Sequence, residues 1–222
     1  MGARFEARRQ AIRTPRAAAT AGILFAFLLS TSLTLLLVNV PPSGLPPEGL
    51  DEQSLRQVTL ALNLMPFAGI AFLWFIGVIR DRLGENEDRF FATVFLGSGL
   101  LFVAMLFVAG AVAGGLASAS VGLEPAVDPT WLYGRFVTRT LIRVYAMRMA
   151  AVFMISTTTL SMRFQIVPRW LAILGFVGAG VLLLTVGSLV WVELIFPVWV
   201  LILSVNLLVT SLRRSQPAAA AS

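Results

Sequence analysis

Six stretches of bilayer length, in which polar side chains almost vanish, divide this 222-residue chain: Ala18 to Val38, Leu60 to Ile79, Phe90 to Leu116, Val144 to Met162, Trp170 to Val190 and Leu194 to Leu212. Crossing the hydrocarbon takes about 20 apolar residues as a helix, because backbone groups must be satisfied internally where water is absent. The pattern predicts an all-α membrane protein, a six-transmembrane-helix bundle forming one domain over residues 18–214, flanked by a basic segment 1–17 and a disordered tail 215–222. Almost nothing polar separates the last two runs. As one helix, Trp170 to Leu212 would be roughly 64 Å long, about twice the hydrocarbon thickness. A tight hairpin is therefore expected between Gly187 and Glu193, with Trp170 and Trp191 at opposite interfaces, where amphipathic indoles are enriched.

The first run is about twice the core of a secretory signal. It ends in Val40-Pro41-Pro42 with no small-residue cleavage site, so it reads as an uncleaved span. Between the first two spans, Asn39 to Thr59 carries Pro41, Pro42, Pro46 and Pro47, and is expected to be extended or turn-rich. A second loop runs from Ala117 to about Thr130.

Charge sets the direction of the bundle. A mean hydropathy of +0.86 leaves little surface for water. The net charge of +6 does not point to nucleic acid, because the arginines stand at the ends of apolar runs and form no continuous basic face. With the N-terminus inside, twelve of the seventeen arginines fall on the cytoplasmic side: five before the first span, then Arg80, Arg82, Arg89, Arg163, Arg169, Arg213 and Arg214. The positive-inside rule thus predicts that both termini are cytoplasmic. Arginine stands where lysine could at every position, which fits a GC-rich bacterial genome and an inner (cytoplasmic) membrane location.

Lysine, histidine and cysteine are all absent. Their absence excludes a retinal Schiff base, histidine-ligated haem, thiolate metal sites and the serine–histidine dyad that Gly97-Ser98-Gly99 superficially evokes. Asp81, Glu85, Glu87 and Asp88 alternate with Arg80, Arg82 and Arg89, the pattern of a salt-bridged turn more than of a magnesium site. No metal, no cofactor and no catalytic constellation is expected.

The segment Thr130 to Met162 reads as one helix whose first part is studded with arginines. Arg135, Arg139 and Arg143 recur every fourth residue, so they form a stripe that drifts about 40° per step. Arg148 lies off that stripe, inside an apolar run, where a charge costs about 2.5–3.5 kcal/mol at mid-membrane on insertion scales. Two readings stand. The stripe snorkels to lipid phosphates, or Arg139, Arg143 and Arg148, with Tyr145 and Asn63, line an outward pocket for an anion or lipid headgroup. Ser156, Thr157, Thr158, Thr159 and Ser161 can bond neighbouring helices or their own carbonyls. Gly110 with Gly114, and Gly175 with Gly178, mark close helix packing.

Ile155 and Ser156-Thr157-Thr158, followed by Val167-Pro168-Arg169-Trp170-Leu171-Ala172 and Gly175, resemble a segment of a family of small polytopic, actinobacterial-type membrane proteins of unknown function. The resemblance covers roughly a fifth of the chain and implies a bacterial multi-pass membrane protein without implying an activity. The expected function is that of a non-enzymatic accessory or scaffolding subunit, with membrane lipid and other membrane proteins, or further copies of itself, as partners. The alternative is a small permease or lipid-handling protein that binds an anionic ligand in the arginine pocket.

Overall fold

Long apolar runs satisfy their backbone hydrogen bonds within the helix, the arrangement a hydrocarbon solvent requires, and Pro66 inside the second run is carried without ending it. The computed structural model describes residues 2–39, 52–83, 89–119, 129–164, 167–185 and 191–215, and among these it is helical with no strand. Helix α1 spans Gly2–Asn39, α2 Glu52–Leu83, α3 Arg89–Ala119, and α4 Pro129–Thr140. A π-helical segment, Leu141–Ala146, then leads straight into α5, Met147–Arg163. Helix α6 covers Arg169–Leu184, a 3₁₀ turn covers Val192–Leu194, and α7 covers Ile195–Ser215.

Five stretches are long and apolar enough to cross a membrane: Ala17–Asn39, Glu52–Arg80, Ala92–Ser118, Leu132–Arg163 and Val192–Arg213. The chain thus has the helices of a multi-pass membrane protein. The expected fifth run is shorter than its apolar sequence. Its helix stops at Leu184, where Thr185 turns extended, and its 16 residues reach about 24 Å. The chain resumes at Trp191, a non-glycine residue in the left-handed region at φ 72°, so it has turned sharply before α7. The rest of the expected hairpin, residues 186–190, lies outside the described residues, as does the tail beyond Ser215.

Two further expectations are corrected. Helix α2 begins at Glu52, inside the stretch expected to be an extended loop. The four prolines all precede that point, and Glu52 brings an acid to the first turn, where the helix dipole favours it. The segment expected as one α-helix from Thr130 to Met162 is continuous but contains the π turn. Its buried positions recur every fourth residue through Gly134, Thr138, Ile142, Ala146 and Ala150. A wider turn, with i→i+5 bonds, holds such a repeat in line where an α-helix would drift.

The helices close into a ring in which α1 packs along α2 and α7, α2 along α3, α3 along α5, and α5 along α6. Its centre is filled with phenylalanine. Phe72 meets Phe25 at 4.5 Å between ring centroids, Phe153 at 5.0 Å, Phe102 at 5.4 Å and Phe196 at 5.6 Å. Most of these pairs are edge-to-face, the arrangement the ring quadrupole favours. Lipid tails are as apolar as these side chains, so the helices associate through fit and dispersion and gain little from leaving solvent.

Glycine permits the closest approaches. A methyl group on Gly175 would strike Thr158 Oγ1 and would lie 2.9 Å from Trp199 Nε1, and one on Gly178 would lie 2.9 Å from Met154 Cε. At Gly110 it would lie 3.1 Å from Met65 Sδ, whereas Gly114, at 3.8 Å from Leu62, makes an ordinary contact. Removing the central ring by Phe72→Ala is expected to destabilise the bundle by about 3–5 kcal/mol. Phe27→Ala, on a ring 75% exposed, should change little. Denaturant unfolding of both variants in the same micelle checks this, and equal losses would refute a Phe72-centred core.

Candidate functional site

The distal end of the bundle, far from both chain termini, is where the polar groups gather. There the ends of α1 and α3 meet the beginnings of α2, α4 and α7. Asn39 Nδ2 donates to Gln57 Oε1 at 2.8 Å and to the Leu35 carbonyl at 2.7 Å, tying α1 to α2. A Cβ at Gly134 would lie 2.6 Å from Leu116 Cδ2, so glycine lets α4 lie directly against α3. That approach leaves the adjacent Arg135 buried at the seam.

Between these helices is a cavity of about 60 Å³. Its walls are Leu36 and Leu37 of α1, Val58 of α2, and Ala113, Leu116 and Ala117 of α3. Arg135, Thr138, Arg139, Ile142 and Arg143 of α4 and the π segment complete it. The Thr138 hydroxyl is engaged by its own helix, donating to the Gly134 carbonyl at 2.9 Å. The three arginines border the cavity almost wholly with their hydrocarbon stems, so its surface is apolar. The volume suits a few waters or one compact oxyanion, not a drug-sized molecule.

Arg143 Nε lies 2.5 Å from Glu193 Oε1, with the two side chains only 18% and 3% exposed. Neither Arg143 Nε nor Glu193 Oε2 has an aligned hydrogen-bond partner, so the pair is held by charge more than by hydrogen-bond geometry. Arg139 lies within electrostatic range of Arg135, Arg143 and Glu193. The carboxylate comes from the 3₁₀ turn just after Trp191, so this ion pair fastens the start of α7 to the middle of the fourth span.

Of the residues expected to form an anion pocket, Arg139 and Arg143 line the cavity. Arg148 is half-buried beyond the π segment and is not part of the lining. Tyr145, 54% exposed, and Asn63, on an exposed face of α2, point away from it. The structure adds Arg135, which continues the stripe, and Glu193. Glu193 is visible in the sequence as the lone carboxylate between two apolar runs, and the span count places it at the same end as Arg143. It stands at the end of the expected hairpin, in the 3₁₀ turn before α7, and there it is buried.

The hydroxyl-rich part of α5 turns inward on its own backbone. Ser156, Thr157 and Thr159 donate to the carbonyls of Val152, Phe153 and Ile155 at 2.7, 2.7 and 2.8 Å. Ser98, in the Gly-Ser-Gly sequence, donates to the Val94 carbonyl at 2.6 Å and is not presented as a nucleophile. Among the described residues no group of acidic side chains could hold a metal, and Glu85, Glu87 and Asp88 lie outside them. Compared with protein-family models, curated proteins and solved structures, the chain matches none.

Replacing Glu193 by leucine leaves a largely buried guanidinium without its counter-charge and is expected to destabilise the protein by about 3–5 kcal/mol. The double variant Arg143→Met with Glu193→Leu should recover most of that loss, because an apolar pair in lipid needs no counter-charge. A double-mutant cycle on micelle unfolding midpoints tests it. Additive losses would show that the two side chains are not coupled.

Proposed function

We propose that the chain is a six-pass protein of a bacterial inner membrane, with both termini cytoplasmic, that binds an anion in its outward-facing arginine cavity as a small permease or lipid-handling protein. Support for the sixth pass comes from connectivity. Helix α5 ends at the end of the bundle nearer the termini and α7 begins at the distal end, so α6 and the turn after it must cover the distance between them. Support for the orientation comes from the arginines, of which twelve of seventeen belong to segments at the end nearer the termini.

The observation that carries the binding reading is that Arg135, Arg139 and Arg143 all border one cavity, with Arg143 paired to the buried Glu193. Cations inside a low-dielectric protein are costly, and such residues mark ligand paths or counter-ion sites more often than structure alone. Arginine suits the task because its planar fork meets carboxylate and phosphate with two parallel hydrogen bonds. The accessory-subunit reading draws less support, since Gly110, Gly114, Gly175 and Gly178 all face side chains of this chain's own helices.

Native mass spectrometry of the protein, extracted gently with its own lipids, tests this. One retained anionic molecule per chain, lost from an Arg139→Gln, Arg143→Gln variant, is the expected result. A stoichiometric partner protein with no bound anion would replace it with the accessory-subunit reading. The absence of cysteine offers a direct test of topology. A membrane-impermeant thiol reagent applied to intact cells should label Gln53→Cys and leave Arg163→Cys unlabelled until the membrane is opened. The reverse result would invert the bundle.

A further inference from the structure

The junction of α5, α6 and α7 contributes nothing to the cavity lining, yet it holds buried polar groups of its own. Ser156, Thr157 and Thr159 each return the hydroxyl to a carbonyl of α5, as a helical serine or threonine does in one of its rotamers. Thr158, in the middle of that run, does not. Its Oγ1 is turned toward Gly175 of α6 and has no hydrogen-bond partner among the described residues, although Thr158 is only 2% exposed. Trp199 of α7, 4% exposed, brings its Nε1–H to the same glycine and is likewise without an acceptor. A buried indole N–H ordinarily finds a partner, and the hydrocarbon around a membrane bundle supplies none.

Trp199 Nε1 lies 2.9 Å from the point a Cβ on Gly175 would take, and Thr158 Oγ1 lies closer to that point still. The two atoms are therefore less than two hydrogen-bond lengths apart without being bonded to each other. One water, accepting from the indole and donating to the hydroxyl, fits within that span. A buried water needs two to four polar partners, and helical carbonyls beside a glycine, each with a second lone pair, are available to complete the set. We infer that Thr158, Gly175 and Trp199 form a binding site for one buried water, which ties α5, α6 and α7 together at a single point. The site shares no residue with the arginine cavity, so either can fail without the other.

The test is NMR of the full chain in detergent micelles with isotope-labelled indole nitrogens, the Trp199 signal being assigned by its loss in Trp199→Phe. Magnetisation transfer from water is expected to reach the Trp199 indole proton with the sign of a water bound for longer than the tumbling time; the exposed indoles of Trp170 and Trp191 are the reference for surface water. Thr158→Val places a methyl group where the hydroxyl was and should abolish the transfer. Thr158→Ala leaves room for a second water in place of the hydroxyl and should keep it. No transfer to Trp199 in the unaltered chain overturns the inference, as does transfer undiminished in Thr158→Val. Transfer lost in both variants would mean that the Thr158 hydroxyl itself carried it, and overturns the inference as well.

Discussion

A bundle dissolved in hydrocarbon cannot be held together by the force that holds a soluble core, because its side chains are no less comfortable outside than inside. What remains is shape, and here shape is concentrated on one ring. Phe72 lies where α1, α2, α3, α5 and α7 all present phenylalanine, and the tilted and edge-on contacts around it set how near each helix can come. The small residues serve the same end. Gly175 admits Thr158 and Trp199, and Gly178 admits Met154, so α6 seats against α5 and α7 although its helix is short.

With the middle of the bundle filled, the polar work is confined to one end. Leu36 on the cavity wall and Phe25 in the core are eleven residues apart on α1, about 16 Å. The two regions obey opposite rules. In the core most hydroxyls are satisfied within the bundle: Ser156, Thr157 and Thr159 of α5 turn back to their own carbonyls, and Ser32 of α1 donates to the Ala61 carbonyl of α2. The distal end concentrates three guanidiniums, steadies one with Glu193, and leaves a space beside them.

Most of this fold is legible in the apolar runs. Five of the expected spans are helices of membrane length, and the arginine repeat at Arg135, Arg139 and Arg143 was visible as a stripe. The features that were not legible depend on interactions distant in sequence or on backbone geometry. Arg143 and Glu193 are fifty residues apart, and only the assembled ring brings them together. Arg148 is the arginine deepest in an apolar run, yet depth along the chain says nothing about which face of a helix meets a cavity. The early start of α2 at Glu52 and the early stop of α6 at Leu184 differ from hydropathy because caps and turns, not apolarity, end a helix.

The π-helical segment Leu141–Ala146 separates two registers that one regular helix could not satisfy together. Below it, α5 must point Phe153 at Phe72; above it, α4 must point Arg135 and Arg139 at the cavity. A π turn is an α-helix with one residue inserted, and each residue is worth about 100° of rotation. Deleting any one residue here would leave the core register intact and swing the upstream arginines a quarter-turn or more away from the space they line. In this span the register of the phenylalanine core and the register of the cavity wall are thus joined through a single inserted position.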